Sequence, residues 1–167
     1  RFAIKATQSI THVAKLQPGK AASPLQALYQ ALPALGSKRG PVLFQLPGYV
    51  RFDLGLLREF LALLPANHRA AFEFRHESWF VEPVYETLKS ARAALCLSER
   101  EDNEPPPLIE TADFGYVRLR LEQYGPADLK RWAQRLEKTS WNNIHAYFMH
   151  EPTAPAYAMA LMEAFGN

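Results

Sequence analysis

Short apolar or alternating runs recur along the chain, and longer stretches with apolar residues at helical spacing separate them. Alternating apolar and polar side chains, or a short apolar run bounded by turn residues, are typical of β-strands. Strands are predicted at residues 2–6, 41–47, 70–75, 93–98, 114–120 and 143–150. The intervening stretches have apolar residues three and four positions apart, which predicts helices. This alternation favours an α/β fold with a parallel sheet and right-handed crossovers.

Capping residues and prolines mark where the helices begin, because both satisfy or remove the unpaired N–H groups of a first helical turn. The predicted helix starts are Ser23-Pro24, Asp53, Glu82-Pro83, Pro126 and Thr153. Two polar segments are predicted as loops, Gln8–His12 and Glu99–Pro107. Strand and helix alternation resumes after the second loop, so the whole chain, residues 1–167, is interpreted as one domain.

Composition agrees with an ordinary globular domain, since 48% of the 167 residues are hydrophobic and 12% are aromatic. The formal net charge of +2 is too small to indicate a nucleic-acid or membrane partner by itself. The single cysteine, Cys96, lies in an apolar run and is predicted to be a buried small side chain. A reducing, cytoplasmic location fits this cysteine usage.

The chain contains no stretch of about 18 apolar residues, so no membrane partner is expected. It opens with Arg1 directly before a predicted strand and has no initiator methionine. The expectation is therefore an N-terminally truncated protein. Oligomeric state does not follow from these features.

Two parallel architectures fit the pattern, a doubly wound open sheet and a (β/α)8 barrel. An open sheet that binds a dinucleotide needs a glycine-rich phosphate turn, and no G-x-G-x-x-G motif follows any strand. A barrel instead collects polar side chains at the carboxyl ends of several strands. Such residues are Lys5, Gln45, Glu73, Arg75 and Arg118. The pattern therefore favours an incomplete (β/α)8 TIM barrel that lacks two strands in front.

The strand that contains Glu73 carries the main candidate site. Side chains alternate between the faces of a strand, so Glu73 and Arg75 share one face. With Lys5, Gln45 and Arg118 they predict a pocket for an anionic group, because guanidinium groups bind phosphate or carboxylate in a bidentate manner. The alternative is a charge-balanced structural network around Glu73.

For chemistry, Glu73 is a candidate general base or metal ligand, with His76 or His12 as a partner in proton transfer. Each histidine also fits a hydrogen-bonded loop residue. A divalent metal is possible but unsupported, because the sequence has no H-E-x-x-H motif and no cysteine pair. Trp79 is a candidate for stacking on a substrate, or alternatively a core residue.

Four motifs resemble a known family. They occupy residues 2–12 (FAIK and ITH), 40–47 (GPVLFQLP), 72–80 (FEFRHESWF) and 111–119 (TADF and VRL). In this order they resemble the YecE-like family of uncharacterised TIM-barrel proteins. The resemblance implies that the chain supplies the third through eighth strands of a (β/α)8 barrel, and it implies no particular reaction.

Three strand ends depart from the family pattern. Ser98 and Glu99 stand where an aspartate is common, Arg120 stands in place of a histidine, and Met149-His150 replace an asparagine pair. These departures imply altered substrate choice or lost activity.

The leading functional hypothesis is a barrel mouth that binds an anionic, phosphorylated small molecule, with the reaction unknown. One rival is a nucleic-acid binding or metal-dependent, nuclease-like protein in which Lys5, Arg118 and Arg120 contact backbone phosphates. Another is a non-catalytic scaffold.

Overall fold

A computed structural model describes residues 1–99 and 107–165, and they form one six-stranded sheet with helices on its outer side. All neighbouring strands are parallel, and their order in the sheet follows their order in the chain. The strands are β1 Phe2–Lys5, β2 Arg39–Gln45, β3 Ala70–Glu73, β4 Ala94–Ser98, β5 Phe114–Leu119 and β6 Asn143–Phe148. This curled, half-barrel sheet confirms the predicted α/β class and all six strands.

The helices are α1 Pro18–Ala31, α2 Leu54–Ala62, α3 Glu82–Ser90, α4 Pro126–Glu137 and α5 Ala154–Ala164. Three predicted starts are confirmed. The Asp53 carboxylate caps α2 by accepting from the Leu56 N–H at 2.9 Å, and α3 and α4 begin at Glu82 and Pro126. Thr153 precedes α5, but its hydroxyl donates to the His150 carbonyl instead of capping the helix.

The predicted start of α1 at Ser23-Pro24 is wrong, because the first helical residue is Pro18, six residues before Pro24. Pro18 provides the same start signal as Pro24, which lies inside the helix. The buried stripe also extends upstream, since Ala21 is buried on the same face as Leu25. Tertiary packing of that stripe outweighs the cost of an internal proline.

Both predicted loops need correction. Residues Ser9–Val13 form a single π-helical turn that fully buries Ile10. Glu99 continues the end of β4 and is only 8% exposed, so it is not a surface loop residue. The remainder of that predicted loop, up to residue 106, lies outside the described residues.

The sheet has an inner and an outer face. The outer side chains of β1 to β4 pack against the helices in one large core, and those of β5 and β6 pack against α4 and α5 in a second. The inner face carries a smaller cluster that includes Cys96, which is buried as predicted. Among the described residues, no helix is long and apolar enough to cross a membrane.

The register of the strands brings particular residues together at the carboxyl edge of the sheet. Gln45 of β2 pairs with Glu73 of β3, and Ser98 of β4 pairs with Arg118 of β5. Parallel strands end at the same edge, so these four side chains converge on the inner face. This convergence creates the candidate site.

Candidate functional site

A single buried carboxylate, that of Glu73, lies at the centre of the carboxyl edge. Its side chain is 1% exposed and is in contact with three guanidinium groups. Arg118 donates a hydrogen bond from Nη1 to Oε2. Arg75 Nε and Arg120 Nη1 both approach the other oxygen, Oε1, at 3.5 and 3.7 Å. We call these four residues the Glu73 cluster.

Two polar side chains from neighbouring strands complete the surroundings of the carboxylate. The Ser98 hydroxyl donates to Oε1 at 3.4 Å. Gln45 is 4% exposed, and its amide lies close enough to Glu73 to favour the charged form. However, the buried Nε2 of Gln45 makes no hydrogen bond of normal geometry with the described residues. A buried donor without a partner is costly, so this amide is a candidate for a ligand contact.

The pKa of Glu73 reflects two opposing effects. Burial by itself would raise the pKa, because it disfavours the charged carboxylate. The charge and hydrogen bond of Arg118, together with the Gln45 amide and the charge of Arg75, act in the opposite direction and hold the pKa below the ordinary glutamate value. Glu73 is therefore ionised at neutral pH.

Guanidinium groups predominate in the Glu73 cluster. Three of them surround one buried carboxylate. Arg118 is largely buried, whereas Arg75 and Arg120 have side chains that are 33% and 32% exposed. The two outer arginines are therefore partly accessible from solvent.

Two residues that follow β6 contact Arg118 of β5 and Arg120, which follows β5. Arg118 Nη2 contacts the Met149 sulfur at 3.3 Å, and His150 Nε2 lies 2.6 Å from the Arg120 carbonyl oxygen. Because a carbonyl only accepts, His150 donates and carries a proton on Nε2. Thus Ser98, Glu99, Met149 and His150, at the ends of neighbouring strands, all contact the Glu73 cluster.

A second buried carboxylate, Glu99, lies next to the cluster on the β4 side. Its Oε2 accepts hydrogen bonds from the Tyr124 hydroxyl and from the Arg120 backbone N–H, the latter at 3.3 Å. Its Oε1 accepts from the Trp132 indole N–H at 3.3 Å. Burial, and then the hydrogen bond to Glu99, raise the pKa of Tyr124 well above the ordinary tyrosine value, so this hydroxyl stays protonated.

Other predicted site residues have different surroundings. The Nδ1 of His76 accepts from the Ser78 N–H at 3.1 Å and so caps a short turn. The Nδ1 of His12 lies 2.8 Å from the Thr11 hydroxyl. Lys5 ends β1 at the same edge and is exposed, with no ion pair to the described residues. The structure therefore brings together Gln45, Glu73, Arg75 and Arg118, and gives the histidines local partners.

The candidate role of Trp79 in substrate binding is not supported, because the side chain is fully buried. Its ring stacks on Phe74 with 4.4 Å between centroids, and its indole N–H donates to the Val50 carbonyl at 2.8 Å. Phe74 lies on the outer face of the sheet, opposite to Glu73. Trp79 is a core residue that holds the turn after β3 against the sheet.

Metal ligation was a second possible role for Glu73. In the part of the chain that the structure describes, no three side chains of His, Cys, Asp or Glu come close enough to share a metal ion. The donors around Glu73 are guanidinium, amide and hydroxyl groups. Such N–H and O–H donors are suited to an anion.

Ser98 and Met149 contact the cluster but were not predicted as site residues. Arg120 was expected only as a contact for nucleic-acid phosphates, and strand alternation places it on the face of Arg118. The contact of Ser98 with Glu73 depends on the register between β3 and β4. That register is a property of the folded sheet and has no signal in the sequence.

Comparison with solved structures supports the fold. A DUF72 family protein from Thermotoga maritima is 23% identical, with a TM-score of 0.75 over 96% of this chain and 71% of that chain. Two crystal structures of a DUF72 family protein from Enterococcus faecalis are 14% and 16% identical, with TM-scores of 0.78 and 0.79. They cover 100% and 98% of this chain, and 74% and 77% of their own.

At these identities the similarity establishes the fold alone. Comparison with curated proteins finds no match. A family model described as "Protein of unknown function DUF72" matches residues 1–167. The chain therefore belongs to the DUF72 family.

Proposed function

We propose that the Glu73 cluster binds the phosphate group of a small molecule. The observation that carries this proposal is the meeting of three guanidinium groups around one buried carboxylate, with two of the three partly exposed. Arginine side chains are well suited to oxyanions, because their planar donor pairs match the oxygens of phosphate and carboxylate. A site at the carboxyl ends of parallel strands is also where α/β proteins usually bind ligands.

The two partly exposed arginines are close enough together to bind one oxyanion. Arg75 Nε and Arg120 Nη1 contact the same oxygen of Glu73, at 3.5 and 3.7 Å, so these nitrogens are at most about 7 Å apart. One phosphate group can hydrogen-bond to donors with that separation, because its oxygens point in different directions. The Gln45 amide supplies a further donor at the buried side of the cluster.

In this proposal Glu73 holds the arginines in place. A carboxylate with a lowered pKa is a weak base, and here the charged form is stabilised by Arg118 and Arg75. Glu73 therefore fits the role of an anchor for the guanidinium groups better than that of a proton acceptor. Catalytic roles for Glu73 and His76 stay predictions, and the reaction is not assigned.

The test is the binding of inorganic phosphate and glucose 6-phosphate, measured by calorimetry and thermal shift, with glucose as the neutral control. We expect saturable binding of both phosphates and none of glucose. Arg75→Gln should weaken binding about tenfold or more, because a charge-assisted hydrogen bond is lost. Arg58→Gln, which removes an exposed arginine on α2, should leave binding unchanged. Absence of phosphate binding, or equal effects of the two substitutions, would rule the proposal out.

We also propose that the six strands are the third through eighth strands of a (β/α)8 barrel of the YecE-like type. The consecutive parallel order from β1 to β6 supports this, as does the collection of polar side chains at the carboxyl edge. In such a barrel the Glu73 cluster lies in the mouth, where TIM-barrel enzymes have their active sites.

A further inference from the structure

The backbone around Arg120 is held by side chains from three different elements. The Arg120 N–H donates to Glu99 at the end of β4. The Arg120 carbonyl accepts from His150, just after β6, at 2.6 Å. The next N–H, that of Leu121, donates to the Tyr124 hydroxyl at 2.9 Å.

These hydrogen bonds take the place of the backbone hydrogen bonds between strands, which stop where β5 ends. Leu119 is the last residue of β5, so residues 120 and 121 lie beyond the strand and their backbone polar groups need other partners. The side chains of Glu99, Tyr124 and His150 provide them. A backbone that is bonded on both sides of Arg120 restricts the direction in which its side chain leaves the strand end.

Glu99 and Tyr124, which accept from these two N–H groups, are hydrogen-bonded to each other and are buried. Tyr124 donates its hydroxyl proton to Glu99, and it accepts from Leu121 with the same oxygen. Glu99 is 8% and Tyr124 is 7% exposed. The Trp132 indole N–H donates to Glu99 from α4, so α4 takes part in the network. Hydrogen bonds of buried groups are strengthened by the low local dielectric, and networks of this kind act as a unit.

The geometry points to a positioning role for Glu99, Tyr124 and His150: they set the place of the Arg120 guanidinium in the oxyanion site. This inference rests on the proposed function, because it assigns Arg120 to the phosphate. Arg120 Nη1 lies 3.7 Å from Glu73 Oε1 while its side chain remains one third exposed. A guanidinium anchored in this way is pre-organised for a ligand, which lowers the entropic cost of binding.

The Tyr124 hydroxyl is the best group to test, because Tyr124→Phe removes it and retains the ring. We expect the phosphate affinity to fall about fivefold to tenfold, as for the loss of a buried hydrogen bond that orients a binding group. Tyr157→Phe is the matched control. The Tyr157 ring packs against the Tyr124 ring at 5.3 Å, and removal of its hydroxyl should leave the affinity unchanged.

A double-mutant cycle separates positioning from general destabilisation. If Tyr124 acts through Arg120, then Tyr124→Phe should weaken phosphate binding in the wild-type background and have no effect on affinity in an Arg120→Gln background. The effect of Tyr124→Phe on the melting temperature should be present in both the wild-type and the Arg120→Gln backgrounds. An equal loss of affinity in the two backgrounds would overturn the inference, as would unchanged affinity in Tyr124→Phe.

A measurement without ligand distinguishes failure of the inference from failure of the proposed function. Tyr124→Phe should increase the mobility of the Arg120 side chain, seen as a lower order parameter of its Nε–H in nitrogen-15 NMR relaxation. The Arg75 signal serves as the internal reference and should not change. If the wild-type protein does not bind phosphate, the proposed function fails. If the Arg120 signal is the same in both proteins, the positioning role fails.

Discussion

At the scale of single residues, Glu73 shows how a buried charge is retained by the groups around it. Replacing Glu73 with glutamine keeps the shape of the side chain but leaves the largely buried Arg118 without its counter-charge. We expect the free energy of unfolding to fall by about 3 to 5 kcal/mol, as is typical when one partner of a buried ion pair is removed. Urea denaturation measures this change. Glu77→Gln, at an exposed position in the next turn, is the control and should change stability by less than about 0.5 kcal/mol.

The same comparison can be extended to low pH. The pKa of Glu73 is lower in the folded protein than the ordinary glutamate value. Its stabilising contribution is therefore complete above the unfolded pKa and is lost as the pH falls through the folded pKa. The difference in stability between wild type and Glu73→Gln should be constant near neutral pH and should shrink in acid. A difference that grows as the pH falls would contradict this account of the cluster.

At the scale of secondary-structure elements, α2 depends on a cap that the sequence predicts. Asp53 is exposed, so its main contact is the hydrogen bond from the Leu56 N–H at 2.9 Å. Asp53→Ala should therefore lower the free energy of unfolding by about 1 kcal/mol, the usual cost of a lost N-cap. Asp53→Asn keeps an acceptor oxygen and should cost much less. Thermal or urea denaturation of the pair tests the assignment, and equal losses in both variants would refute it.

The helix starts that the sequence predicts correctly have local signals, whereas the start of α1 depends on a tertiary contact. The cap at Asp53 and the prolines at Pro83 and Pro126 act within one helical turn, so their positions follow from the sequence alone. The start of α1 did not follow, because Pro18 and Pro24 give equal local signals. Burial of Ala21 against the sheet selects the earlier start. That contact is tertiary, and only the folded chain reveals it.

The candidate site also combines a contact between residues close in the sequence with contacts between distant ones. The pairing of Glu73 with Arg75 follows from strand alternation and is observed, at 3.5 Å. Glu99 was interpreted as a loop residue because charged and proline-rich residues follow it. Its burial depends on partners more than 20 residues away in the sequence, such as Tyr124 and Trp132. No periodicity in the sequence encodes these long-range hydrogen bonds.

At the scale of the whole molecule, the sheet brings charges from separate strands to one edge. The net charge of the chain is only +2, yet three guanidinium groups meet around Glu73. Total charge therefore says little about the site, and placement decides the local field. The similar structures share this fold at 14% to 23% identity. Such similarity does not transfer a ligand, so binding measurements on this protein are required.

The two outer strands determine how the chain behaves in solution. In the described residues, β1 and β6 each pair with a neighbour on one side only. The central strands β3, β4 and β5 are buried along their length, whereas β1 is mostly exposed and β6 is half-buried. Unpaired backbone groups on an edge strand are a template for pairing with another chain.

We therefore expect the 167-residue chain to associate through these edges, giving oligomers or aggregates in size-exclusion chromatography with light scattering. Ala3→Lys places a charge on the exposed edge strand β1, and such charges oppose edge-to-edge pairing. This variant should show a lower average mass at equal concentration. Ala127→Lys, at an exposed position on α4, adds the same charge away from the edges and should not lower the mass. A wild-type chain that is monomeric and melts in one cooperative transition would show that the open edges do not drive association.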